Sequence, residues 1–161
     1  MKAIRTITTV TALVVAGASA AFAQSATQTV TFAIDPINQI SVAGAPSLNI
    51  TTASAGSAPT TVTSSVGSWA VTTNQTGAKV TASIASAMPT GVTLSATLGA
   101  PSGATSAGAK PLGTTAVDLV SGISKLNASG LALSYQLDAT AAAGVVASTS
   151  RVVTFTITGG V

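Results

Sequence analysis

The sequence has no cysteine, no histidine and no glutamate, and its acidic residues are three aspartates, Asp35, Asp118 and Asp138. Each absence removes a class of chemistry. Without histidine or cysteine there is no Ser-His or Cys-His nucleophile pair, no imidazole general base, and hardly a ligand for a transition metal. Without cysteine no disulfide can hold the fold, so stability must come from burial and backbone hydrogen bonds. Charged residues make up 6% of the chain and aromatics 3%. A surface with so few charges offers little repulsion between copies, which makes self-association easy.

The first segment accounts for part of the basic balance. Lys2 and Arg5 precede an apolar run from Thr11 to Ala21 that closes on Ala21-Phe22-Ala23, a small-x-small site of the kind signal peptidase accepts. Residues 1–23 are therefore expected to be a signal peptide, with export to the cell surface or medium and Gln24 as the mature N-terminus. Removing 23 of 161 residues leaves 138, enough for one domain, residues 24–161, with a real core. The mature part keeps four cations, Lys79, Lys110, Lys125 and Arg151, against the three aspartates, a net charge of +1. Four scattered cations cannot form the basic stripe that phosphate backbones require, which excludes nucleic acid as a partner.

Mean hydropathy is high, at +0.62. Even so, after residue 23 Ser and Thr break every apolar run before it reaches the ~18 residues of a membrane span. The apolar residues recur instead with period two. Val30, Phe32 and Ile34 alternate with Thr29, Thr31 and Ala33, and the same pattern recurs at Val92–Leu98, Leu131–Leu137 and Val153–Thr158. Such alternation turns one strand face to a core and the other to water. Shorter strands are expected at Ile40–Val42, Leu48–Thr51, Thr60–Thr63, Trp69–Thr73, Lys79–Ile84 and Ala116–Val120. Turn formers separate them at Ala43–Pro46, Asn74–Gly77, Met88–Gly91 and Asn127–Gly130, with Asn74–Gly77 the strongest hairpin signal. Ala139–Gly144 reads as loop rather than a helical turn.

About nine or ten short strands at this spacing predict an all-β fold, an antiparallel β-sandwich of immunoglobulin-like or jelly-roll-like form. An outer-membrane barrel would carry two girdles of aromatics. The mature chain has four aromatic residues, Phe32, Trp69, Tyr135 and Phe155. Residues 99–113, rich in Gly and Pro, form the longest expected loop, and loops of about 15 residues are either functional or plain surface connections.

The remaining candidates for chemistry are sparse. Asp118 and Asp138 fall on the polar phase or at the end of strands, where solvated strand ends explain them better than a glycosidase pair. Asp35 before Pro36 fits an Asx turn, and with Asn38 it offers too few carboxylates for calcium. Ser121 and Lys125 are four apart beside Gly122, without the helix a Ser-Lys dyad needs. The sequon matches at Asn49, Asn74 and Asn127 are expected by chance in so Ser- and Thr-rich a chain. No catalytic residue, cofactor or metal is expected. Trp69, in phase with Val71, is either a core residue between sheets or a platform for stacking a sugar, and Tyr135 shares its phase with three leucines and belongs to the core. The threonines at 154, 156 and 158 invite an ice- or crystal-binding reading, which β-propensity alone explains.

With its leader, Thr-rich alternating strands and Trp69 strand, the mature chain resembles the secreted β-sandwich proteins of bacterial surfaces, including fimbrial-type subunits and wall-associated WxL-like domains. The resemblance is one of pattern across the mature chain, and it implies extracellular assembly or attachment. The chain departs from chaperone-usher subunits in having no cysteine pair and in ending Thr158-Gly159-Gly160-Val161. The function expected is that of a non-enzymatic structural or adhesive surface subunit whose partners are its own copies or other subunits. The alternative is a secreted module that binds a glycan or another ligand. Val30, Phe32 and Ile34, set apart by Asp35-Pro36, form a strand that either joins the domain's own sheet or is donated to a neighbour.

Overall fold

The computed structural model describes residues 23–161. The expected signal peptide therefore lies outside the described residues except for Ala23. The chain divides into two units, residues 1–33 and 34–161. The described part of the first carries no regular structure, and the second holds nine strands.

These are β1 (Asn38–Ala43), β2 (Val62–Thr73), β3 (Ala78–Ile84), β4 (Val92–Leu98), β5 (Thr105–Ser106), β6 (Lys110–Pro111), β7 (Val117–Ile123), β8 (Leu126–Ala139) and β9 (Val153–Thr158). A single 3-10 turn at Ala141–Ala143 occupies a stretch expected as loop. The fold is all-β, and the strands form two antiparallel sheets. One has the order β1-β2-β8-β4-β6 and the other β5-β7-β3-β9. Among the described residues no helix is long and apolar enough to cross a membrane.

Period-two patterning explains which face each strand buries. Ala78, Val80, Ala82 and Ile84 turn inward from β3, and Trp69 and Val71 do so from β2. They share one core cluster with Leu94, Ala96 and Leu98 of β4, Leu119, Val120 and Ile123 of β7, and Leu133 and Tyr135 of β8. Size is matched across the ladder: Ala96 pairs with Tyr135, where a small residue leaves room for the ring. Trp69 is 2% exposed, and its indole N–H donates to the carbonyl of Gly99 at 3.1 Å. That bond satisfies the one polar atom of a large buried ring and fastens β2 to the chain leaving β4.

Three expectations require correction. The turn at Asn74–Gly77 is present but makes no hairpin, because β2 is already paired on both sides, by β1 and β8, and β3 belongs to the other sheet. The expected turn at Asn127–Gly130 lies within β8. The register passes from Trp69 opposite Leu131 to Val71 opposite Ala128, so β8 carries one extra residue there, and Gly130 at φ +65° absorbs it. Glycine chemistry here marks a β-bulge rather than a chain reversal. Finally, neither Thr29–Ile34 nor Leu48–Thr51 forms a strand. Between β1 and β2 a single bridge, Ala53 with Pro59, stands in place of a ladder, although Leu48 still packs against the core.

The stretch 99–113 joins the two sheets along one side. β5 pairs with β7 and β6 with β4, the Leu112 N–H donates to Leu94 at 2.8 Å, and the Ser106 hydroxyl donates to Leu98 at 2.6 Å. Leu112 is 6% exposed and closes the core there.

Two measurements check this packing. Replacing Trp69→Ala removes the largest core side chain and leaves a cavity, with an expected loss of about 3–5 kcal/mol in denaturant unfolding followed by circular dichroism. A loss below about 1 kcal/mol would contradict the placement of Trp69. Burial also raises the phenol pKa of Tyr135, the only tyrosine, above its ordinary value. The neutral phenol is thus favoured by the fold, so its contribution to stability is complete below the unfolded-state pKa of about 10 and is lost as pH rises through the folded value. Ultraviolet titration of the native protein should place the tyrosinate midpoint above that of the unfolded chain.

Candidate functional site

Among the described residues the charged side chains lie outside the core cluster. Lys79 pairs with Asp118 at 3.0 Å, with both side chains about half exposed. Such a pair contributes about 0–1 kcal/mol. Asp138 accepts from the hydroxyl of Thr61 and, at 2.9 Å, from the amide of Gln136. Arg151 donates to the carbonyls of Ala87 and Ser150 and to the Thr149 hydroxyl. Asp118 and Asp138 lie in different sheets, on β7 and β8. Among the described residues no group of three His, Cys, Asp or Glu side chains is placed to hold a metal ion. One surface depression is lined by Ile37, Thr72, Asn74 and Lys125, and another by Ala70, Asn127 and Ser129.

The aromatic positions separate clearly. Trp69, considered for sugar stacking, is enclosed in the core and presents no ring face to solvent. Phe32 is 86% exposed, and its phase-mates Val30 and Ile34 are 73% and 78% exposed. Isolated apolar side chains are often left in water, and here the intervening Thr31 and Ala33 are exposed as well. The chain between this segment and β1 is tied down. The side-chain amide of Asn74 donates to the Asp35 carbonyl and accepts from the Ile37 N–H, both at 2.8 Å. Asp35 therefore serves here through its backbone.

A second feature escaped sequence reasoning. The inward-facing residues of β9, Val153, Phe155 and Ile157, pack against the core but are only partly buried. On β1, Val42 is opposite the buried Trp69 but is itself 46% exposed. Both strands are the outermost members of their sheets, and they approach each other. The side of the fold away from residues 99–113 is thus less covered than the side those residues close. Alternation identifies a strand's inner face but not its rank in the sheet, so the pattern of β9 gave no sign of this. Comparison of the chain with family models, with curated proteins and with solved structures finds no match in any of the three.

Proposed function

We propose that this chain is an exported, non-enzymatic structural subunit of a bacterial-type cell surface. In this reading it is an antiparallel β-sandwich that associates with other copies through the Thr29–Ile34 segment. The observation that carries the reading is the exposure of Val30, Phe32 and Ile34 on a segment that joins none of the described strands. A signal-like leader, the lack of His, Cys and Glu, and a nearly uncharged mature surface are consistent with a role that needs contact rather than chemistry. The glycan-binding alternative would rest on an exposed aromatic platform, and Trp69 does not provide one.

Magnitudes limit how the segment can act. Burying Val, Phe and Ile side chains gives roughly 5–9 kcal/mol at most, while ordering six residues costs about 6–12 kcal/mol. Apolar contact alone therefore does not hold the segment in place. Backbone hydrogen bonds at about 0.5–1.5 kcal/mol each must add to it, which favours a sheet edge as the receiving surface over a flat apolar patch.

Sedimentation across a concentration series, with electron microscopy, tests the proposal. The mature chain should assemble as concentration rises. Deleting residues 24–34 removes none of the nine strands, so the shortened chain should stay folded and monomeric, with stability changed by less than about 1 kcal/mol. A shortened chain that unfolds would show that the segment belongs to its own domain, and one that still assembles would remove its role in association.

A further inference from the structure

We propose that Gln75 and the chain leaving β9 form a latch that fastens β1 to β9 at one end of the fold, and that releasing it opens the margin between these two strands while both sheets stay folded.

Each of the two strands is laddered within its own sheet, β1 to β2 and β9 to β3. The connection between them starts from Thr73, a polar residue 3% exposed at the end of β2. Its hydroxyl donates to Asn38 Oδ1 at 2.7 Å and accepts the Gln75 N–H at 3.1 Å. With its oxygen engaged in this way, the Asn38 amide turns its nitrogen to the Gly159 carbonyl and donates to it at 3.2 Å. The Gln75 side chain reaches the same place. An oxygen at the end of that side chain would face only acceptors, so the amide nitrogen occupies the position and donates to Gly159 at 3.0 Å and to Gly160 at 3.2 Å. Thr76 and Val161 complete the attachment by exchanging both backbone bonds, at 2.9 and 3.1 Å.

The same residue holds a further stretch of chain. The Gln75 carbonyl accepts the Lys125 N–H at 2.9 Å, which ties the turn between β7 and β8 to the latch. Close approach of the tail depends on Gly160, which has φ +96° and where a Cβ would stand 2.6 Å from the Cβ of Gln75. The core is largely independent of these bonds. Its buried strand residues come from β2, β3, β4, β7 and β8, whereas Ile40 of β1 and Val153, Phe155 and Ile157 of β9 are only partly buried. Loss of the latch therefore acts first on the β1–β9 margin, as a local opening rather than global unfolding.

Because the chain has no cysteine, nitroxide labels can be placed on introduced thiols without background. One label pair uses Ser41→Cys on β1 and Thr156→Cys on β9, and a reference pair uses Ser68→Cys on β2 and Ser121→Cys on β7, all four positions being exposed. Distances are read by pulsed electron paramagnetic resonance. The β1–β9 pair should give one narrow distribution in the parent chain and one several-fold broader in Gln75→Ala and in Gly160→Val, with the reference pair unchanged. Gly103→Val is the control for backbone strain alone, since Gly103 has φ +80° but no atom within 4 Å of where its Cβ would stand. It should leave both pairs as they are. A β1–β9 distribution that stays narrow in Gln75→Ala, one that broadens equally in Gly103→Val, or broadening of both pairs together would overturn the latch. Should Gly160→Val unfold, Gln75→Ala decides.

Discussion

A β-sheet must end somewhere, and its outermost strand leaves a row of backbone donors and acceptors without partners. That constraint organises this protein, because disulfides are absent and charges too few to compensate. On one side the problem is met within the chain. Residues 99–113 place β5 against β7 and β6 against β4, and Leu112 covers the core between them. On the other side β1 and β9 are the last strands, and the inner-face residues Val42, Phe155 and Ile157 are incompletely covered. Trp69 lies between these two situations: its bond to Gly99 ties the long β2 to the closed side, and β1 borders it towards the open one.

The fold class was legible in the sequence because period-two patterning depends only on one face being buried. Val92–Leu98 and Lys79–Ile84 were read almost to the residue, and Tyr135 was placed in the core by its phase with Leu131, Leu133 and Leu137. Connectivity was less legible. Asn-Gln-Thr-Gly at 74–77 signals a reversal but not whether the next strand stays in the same sheet. Asn-Ala-Ser-Gly at 127–130 carries the residues of a turn, yet β8 uses Gly130 to accommodate a bulge opposite β2. Turn chemistry reports local φ and ψ; the pairing that decides between turn and bulge is long-range.

The same limit applies to the site. Thr29–Ile34 and β9 have nearly interchangeable patterns, and propensity alone makes strands of both. β9 pairs with β3 and forms a strand, whereas Thr29–Ile34 carries no strand assignment. That contrast separates what a sequence encodes, strand competence, from what a fold supplies, an open ladder. Which aromatic is available was likewise a matter of tertiary position: Trp69 is enclosed by both sheets while Phe32 is in solvent.

Amide hydrogen exchange resolved to single residues of Thr29–Ile34 tests the central claim most directly, comparing dilute monomer with assembled protein. In the monomer the amides of β8, which is laddered on both sides, should be protected, while those of Thr29–Ile34 exchange freely. On assembly the second set should slow by orders of magnitude and the first should change little. Amides of Thr29–Ile34 that are already protected in dilute monomer, or that exchange as fast after assembly as before it, would contradict the account.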